Sequence, residues 1–155
     1  CRIDGFLSSL LVVGVKHTAH SMYQLERMAK AHPTMHLING FDETYLAATV
    51  AGATGSIGTT ISLQTDCFKA VRALVRAGDL AGARDFQRRI NDVIEELVAV
   101  SVFPAAKWVE SQLTGIDLGP CRAPFAEIDA EGQRRLRSLV ERIADDAAAA
   151  RSALG

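Results

Sequence analysis

A lysine at the end of an apolar run is the residue of this sequence best suited to covalent chemistry. Lys16 follows the run Val12 to Val15, and Thr18 lies two positions further on. An amine in water has a pKa of about 10.4 and is mostly protonated at neutral pH, whereas burial in apolar surroundings favours its neutral form. A neutral amine can attack a keto acid and form a Schiff base, which accepts electrons when a carbon–carbon bond is made or broken.

Two further interpretations of Lys16 stay open at the level of sequence. Its charged head could reach water past the apolar flank, as long basic side chains commonly do. It could also form a salt bridge with Asp42 or Glu43 at the rim of a site. The residues alone do not choose between these roles and that of a nucleophile.

Polar residues near Lys16 and after the next apolar run could bind a ligand. If the strand continues to Thr18, this residue shares a face with Lys16 and its hydroxyl could bind the same molecule, or it could belong to a helix N-cap. Asp42 and Glu43 follow Gly40, whose backbone can approach a ligand closely. The two carboxylates could accept hydrogen bonds from a polyol, or they could be acids favoured at the start of a helix.

The elements that must position these residues alternate between strand and helix. Apolar runs bounded by turn residues predict strands, and the periodic segments between them predict helices, at a spacing of roughly 20 residues. Because such crossovers are right-handed, the carboxyl ends of parallel strands share one edge, where α/β folds bind ligands. The predicted strands are 12–18, 35–40 and 55–61, and the predicted helices are 21–32, 44–51 and 66–77. The residues expected at the shared edge are Lys16, Thr18, Asp42, Glu43 and Thr59.

After Gly78 the pattern predicts helices only. They are expected over 80–100, 103–113 and 129–154, with Trp108 in the core and a loop containing Gly119, Pro120 and Pro124 before the last helix. The alanine-rich end, 145–155, is predicted to fray. We therefore divide one structural unit into an α/β part, 1–78, and a helical part, 79–155.

Neither a nucleotide loop nor a metal site is predicted. The run 55–60 has the composition of a phosphate-binding loop but lacks the Gly-Lys-Thr/Ser ending of a P-loop. Four histidines lack carboxylate partners at ligand spacing, so we expect them at the surface or supporting the site from behind. They are His17, His20, His32 and His36.

Composition excludes several classes of protein. The chain has 155 residues, of which 48% are hydrophobic and 23% are charged, and its formal net charge is -1, which favours neither nucleic acid nor an anionic membrane. Three widely spaced cysteines do not form a disulfide framework or a zinc knuckle, which is typical of a reducing, cytoplasmic setting. The apolar run 6–15 is too short to span a bilayer and lacks the pattern of a signal peptide.

Several motifs in order resemble one enzyme family. They are Gly14-Val15-Lys16-His17-Thr18, Tyr23-Gln24, Asn39-Gly40-Phe41-Asp42-Glu43, Gly55-Ser56-Ile57-Gly58-Thr59-Thr60 and the tail segment 119–125. At these spacings, from about residue 12 to residue 143, the chain resembles the C-terminal half of N-acetylneuraminate lyases. These enzymes belong to the dihydrodipicolinate synthase superfamily of pyruvate-dependent class I aldolases. The resemblance implies part of a (β/α)₈ barrel, strands six to eight, followed by a three-helix C-terminal extension.

The resemblance also implies roles for individual residues. Lys16 matches the Schiff-base lysine that takes up pyruvate or the pyruvyl end of a sialic acid. The family more often has serine at the position of Thr59. The Gly-Phe-Asp-Glu turn of this chain, residues 40–43, resembles the lyase branch more than the dihydrodipicolinate synthases. A homotetramer without a cofactor is implied. The positions that match binding of the sugar chain are Thr18, Gly40, Asp42, Glu43 and Thr59.

Two features that the resemblance calls for do not occur in these 155 residues. The family's upstream strands carry a Gly-Ser-Thr-Gly-Glu type loop for the substrate carboxylate and a tyrosine that shuttles protons. Since the sequence also starts at Cys1 rather than Met, we expect a piece of a longer enzyme that is inactive alone. The alternatives are another pyruvate-dependent aldolase or dehydratase, such as a keto-deoxy sugar acid aldolase, and a non-catalytic half-barrel.

Overall fold

A computed structural model describes residues 5, 9 and 11–155 of the chain. It divides into two compact units, Cys1–Gly58 and Thr59–Gly155. From the sequence we place a boundary at residue 78, between the part that resembles the family's barrel and the helical extension. That boundary stays a prediction.

The first unit contains a three-stranded parallel sheet in the order β1, β2, β3. The register pairs Lys16 with Ile38 and Asn39 with Ser56. The predicted third strand, 55–61, is only two residues long, because β2 ends at Asn39 and the last ladder hydrogen bond runs from Ile57 N to Asn39 O, 2.9 Å. The strands are β1 Gly14–His17, β2 His36–Asn39 and β3 Gly55–Ser56.

Two helices connect these strands, α1 Met22–Ala31 and α2 Tyr45–Val50. The Ser21 hydroxyl caps α1 by accepting a hydrogen bond from Gln24 N at 3.3 Å, which satisfies one of the free N–H groups at the helix start. Both helices were predicted, and both lie within the expected ranges. The core of this unit is Leu25, Met35, Leu37, Ala48 and Ala53.

The second unit is helical. Asp79 and Asp129 cap the two longest helices, each accepting a hydrogen bond from the backbone N–H three residues later, at 2.9 Å and 2.8 Å. Gly78 ends the first helix with a φ of 82°, in the left-handed region where glycine carries no steric penalty. The helices are α3 Thr65–Ala77, α4 Leu80–Val100, α5 Val102–Thr114 and α6 Ala130–Leu154.

The core of the second unit joins α4, α5 and α6. Trp108, which we expected in the core, lies half-buried against it. Cys67 is buried and Cys121 is half-buried, and both are free thiols. Among the residues that the structure describes, no helix is both long and apolar enough to cross a bilayer. The buried core residues are Leu63, Val93, Leu97, Ala105, Ala106, Val109, Leu136, Leu139 and Ile143.

The prediction that residues 145–155 fray is wrong. Helix α6 continues to Leu154 because its last turns are anchored to other helices of the same unit. Asp146 is buried and accepts a hydrogen bond from Arg89 of α4 at 2.5 Å. Arg151 donates to Asp66 of α3 at 2.6 Å. Polar residues that looked like a solvated tail in the sequence therefore hold the helix in place.

Candidate active site

Lys16 lies on β1 and Thr18 is the first residue after it, and both side chains lie against Gly40 on the same side. Both side chains are exposed, whereas His17 between them is buried on the opposite side. In residues 1–155 the apolar flank therefore does not cover the Lys16 side chain. Alternation explains why: the buried side of β1 at this point belongs to His17, and the lysine shares the open side with Thr18.

Gly40 brings the end of β2 against these two side chains. Its backbone N–H donates to His17 O at 2.9 Å, which continues the parallel ladder by one residue. A Cβ built on Gly40 would lie 2.9 Å from Lys16 Cε and would overlap the Thr18 hydroxyl. Only glycine lets the backbone come this close. The structure thus brings Lys16 and Thr18 together, and it places the backbone of Gly40 directly beside them.

The acidic pair follows in a short 3₁₀ turn, Asp42–Thr44. Asp42 is buried and Glu43 is exposed, so the two carboxylates have different surroundings. A Cβ built on Gly58 would lie 2.5 Å from Asp42 Oδ2 and closer still to the rest of the carboxylate. Gly58 was not among the predicted site residues, although the glycine-rich run around it indicated a close approach of the backbone.

Asn39 was also missed, because it looked like the last residue of an ordinary strand. It is fully buried, and its side-chain amide donates to Phe41 O at 2.5 Å and to Ser56 Oγ at 3.2 Å. Ser56 Oγ in turn donates to Asn39 O at 3.0 Å. The available signal was a polar residue directly after the apolar pair at 37–38. Such a residue is buried in a sheet only when hydrogen bonds satisfy it.

The histidines divide into different roles. His17 is buried, so the expectation of a surface position is wrong for this residue. Within the described part of the chain, neither of its ring nitrogens has a hydrogen-bond partner. The ring of His20 stacks on Phe41, with centroids 4.6 Å apart and an interplanar angle of 14°. No group of three or more potential ligands that could hold a metal ion occurs among the residues described.

Thr59 is exposed and is the first residue of the second unit. Its role in binding stays a prediction. Within the first unit, five candidate site residues lie at the carboxyl ends of β1 and β2. Asn39 and Gly58 support them. The five are Lys16, Thr18, Gly40, Asp42 and Glu43.

This arrangement can support imine chemistry beside an acceptor-rich turn. The Lys16 amine and the Thr18 hydroxyl lie against the backbone of Gly40, and both side chains are exposed and so accessible to a small carbonyl compound. The turn that follows supplies carboxylate oxygens, which accept hydrogen bonds from hydroxyl groups.

Comparison with known proteins confirms the resemblance inferred from the motifs. The model of the dihydrodipicolinate synthetase family matches residues 7–143. An N-acetylneuraminate lyase from Rhizobium meliloti is 39% identical over 134 residues, which are 86% of this chain and 44% of that protein. The chain thus spans less than half the length of this relative.

Solved structures agree with this comparison. The N-acetylneuraminate lyase from Fusobacterium nucleatum complexed with pyruvate matches with a TM-score of 0.86 and 30% identity, over 92% of this chain and 48% of that one. CdNal from Clostridium difficile in complex with mannosamine matches with a TM-score of 0.87 and 28% identity, over 92% and 49% of the two chains. The predicted fold class, the later part of a (β/α)₈ barrel followed by helices, is confirmed.

Proposed function

Because the chain belongs to the dihydrodipicolinate synthetase family, we propose that it is the lysine-bearing part of a Schiff-base lyase. In its intact form this lyase cleaves N-acetylneuraminate to N-acetylmannosamine and pyruvate. The observation that carries the proposal is the packing of the Gly40 backbone against Lys16 and Thr18, which holds an amine and a hydroxyl close together. Both side chains are exposed. The lyases that match the chain support the choice of substrate.

In the proposed reaction, Lys16 Nζ attacks the ketone carbon of the 2-oxo acid, and loss of water gives a protonated imine. A base removes the proton of the hydroxyl group on the far side of the scissile carbon–carbon bond. The electrons of that bond move into the imine, which becomes an enamine, and the sugar aldehyde is released. The enamine takes up a proton on carbon, and water hydrolyses the imine to pyruvate and the free lysine.

Support for the sugar end comes from the turn Asp42–Thr44. Glu43 is exposed and available to hydroxyl groups, whereas buried Asp42 is held against Gly58. We assign the turn to the polyol chain of the substrate, with Thr18 between the turn and the imine. Thr59 is assigned to the same chain on the basis of resemblance alone. The homotetramer and the cytoplasmic location stay predictions.

The test is chemical trapping of the imine. We would place the upstream half of the Rhizobium meliloti relative ahead of residue 7 of this chain, to give what we call the joined protein. Borohydride reduction with pyruvate, followed by mass spectrometry, is expected to place the adduct on Lys16. Lys16→Ala is expected to abolish it, whereas Lys30→Ala, which removes another exposed lysine of the first unit, is expected to keep it. Labelling at another residue, or none, would overturn the proposal.

A further inference from the structure

Asn39 is a polar side chain in the interior of the first unit, and it contacts no solvent. A buried amide costs stability unless its donors and its acceptor are bonded, so its partners indicate why it is there. They lie on two different segments: the turn that follows β2, and β3.

Toward β3, the amide of Asn39 donates to Ser56 Oγ at 3.2 Å, and the Ser56 hydroxyl donates back to Asn39 O at 3.0 Å. The backbone of Ile57 donates to the same carbonyl at 2.9 Å. The end of β2 is therefore tied to β3 by three hydrogen bonds at one residue. These are also the last residues before Gly58, which packs against Asp42.

Toward the turn, the same amide donates to Phe41 O at 2.5 Å. This carbonyl also accepts from Thr44 N at 3.2 Å and from Thr44 Oγ1 at 3.1 Å, so it is the group on which the 3₁₀ turn begins. Thr44 Oγ1 lies 3.5 Å from Asn39 Oδ1 as well. The side chain of Asn39 thus fixes the start of the turn that carries Asp42 and Glu43.

We propose that Asn39 is a positioning residue for the acidic turn and thereby determines recognition of the polyol end of the substrate. It acts through Asp42 and does not take part in forming the imine on Lys16. This inference rests on the proposed function for the nature of the ligand, but the hydrogen bonds that carry it are independent of that function.

The amide group is required because it supplies N–H donors and a carbonyl acceptor in one planar head. Aspartate has nearly the same shape but no N–H donor, so in Asn39→Asp an oxygen would face Phe41 O and the turn would lose its anchor. A milder change, Ser56→Ala, removes the two hydrogen bonds of the Ser56 hydroxyl and leaves the bond from Ile57 N and the bond to Phe41 O in place. Asn91→Asp is the matched control, since Asn91 is a half-buried asparagine of α4 whose partner is Gln87.

The experiment uses the joined protein and measures two activities of each variant. We expect Asn39→Asp to lower kcat/KM for cleavage of N-acetylneuraminate by about 10²-fold, as displacements of about 1 Å can do, with pyruvate trapping at Lys16 retained. Ser56→Ala is expected to lower kcat/KM for cleavage by a smaller factor, again with pyruvate trapping retained. Asn91→Asp is expected to match the parent in both activities. Combined with Asp42→Asn, the Asn39→Asp change is expected to add no further loss, because both act on one carboxylate.

A second measurement needs no activity. Hydrogen exchange of a peptide covering residues 40–50 is expected to quicken in Asn39→Asp and to stay unchanged in Asn91→Asp. If the parent traps no pyruvate, the proposed function fails, and the exchange data alone decide whether Asn39 holds the turn. If the parent is active but Asn39→Asp lowers trapping and cleavage equally, or lowers neither, or leaves exchange unchanged, the positioning role is wrong.

Discussion

The backbone of Gly58 lies directly against the carboxylate of Asp42, and a Cβ there would come within 2.5 Å of Oδ2. Since Asp42 is buried, its carboxylate has little room to move away. The glycine at the end of the 55–58 segment is thus part of what fixes the acidic turn.

We therefore expect Gly58→Ala in the joined protein to displace Asp42 and to lower lyase activity by about 10²-fold. Trapping of pyruvate at Lys16 is expected to persist, because Gly58 lies against the turn. Gly55→Ala is the matched control: among the described residues, a Cβ there would meet Ile38 Cδ1 alone, at 3.4 Å, which is an ordinary contact. The measurement is pyruvate release from N-acetylneuraminate beside borohydride trapping. Equal activity of the two alanine variants would contradict the expected clash.

Replacement of Asp42 or Glu43 by alanine tests whether the acidic turn serves binding of the sugar chain or formation of the imine on Lys16. Either change in the joined protein is expected to lower cleavage while pyruvate trapping at Lys16 stays largely intact. Asp42→Ala is also expected to lower the melting temperature, since it empties a buried position, whereas exposed Glu43 is not expected to affect stability. Comparable losses of trapping and cleavage would mean that the turn is structural.

The order and type of the elements followed from sequence because each has a strong local signal. Ser21, Asp79 and Asp129 are capping residues before periodic segments, and Gly78 is a stop signal. Helix α4 begins and ends at the predicted residues, 80 and 100. The fraying predicted for the tail failed because hydrogen bonds between distant residues, such as Arg89 and Asp146, leave no local pattern.

The site was predictable in part for the same reason. The positions of Lys16 near the end of β1 and of Gly40 after β2 could be predicted because strand ends can be located from apolar runs. The contributions of Asn39 and Gly58 depend on strand register and on close approach of the backbone, which arise only when β2 pairs with β3. The exposure of Lys16 likewise depends on which side of β1 is covered, and composition of the flank does not determine that.

The buried thiol of Cys67 predicts a dependence of stability on pH. Burial raises the pKa of this thiol from 9.0 to about 11, with the negative charge of Asp146 adding to the effect. The folded state then favours the neutral thiol. Its contribution to stability is complete below pH 9.0 and is lost as the pH rises toward 11.

Each unit of pKa difference corresponds to about 1.4 kcal/mol, so the free energy of unfolding is expected to fall more steeply with pH in the parent than in Cys67→Ala. Urea titrations between pH 8 and pH 10.5 would measure both slopes. Identical slopes would show that the thiol ionises equally in the folded and unfolded states.

The ion pair between Arg89 and Asp146 predicts that the end of α6 contributes to stability. Asp146→Ala leaves Arg89 without its partner at 2.5 Å, and we expect a loss of roughly 1–3 kcal/mol, below that of a fully buried pair because Arg89 is half-exposed. Asp145→Ala changes the exposed neighbour and is expected to cost less than about 0.5 kcal/mol. Denaturant midpoints of the two variants would show the difference. A frayed tail would instead make both substitutions neutral.

Residues 1–155 alone are expected to show negligible lyase activity, although Lys16 is present. A Schiff-base lyase must hold the substrate carboxylate and move a proton in step with cleavage, and misplacing such groups by about 1 Å can cost 10²-fold. The carboxylate loop and the tyrosine that the family resemblance implies are absent from these residues. In addition, the Lys16 side chain is exposed in these residues, so no surrounding groups hold it against the substrate from the other side.

The measurement compares the chain with the joined protein. After circular dichroism has confirmed that residues 1–155 are folded, pyruvate release from N-acetylneuraminate is assayed for both, with Lys16→Ala of the joined protein as the baseline. The chain alone is expected to match this baseline, because it has the nucleophile but lacks the groups that the resemblance assigns to the upstream strands. Turnover by the chain comparable to that of the joined protein would show that residues 1–155 contain a complete site. The proton transfer would then have to be assigned to a residue within them.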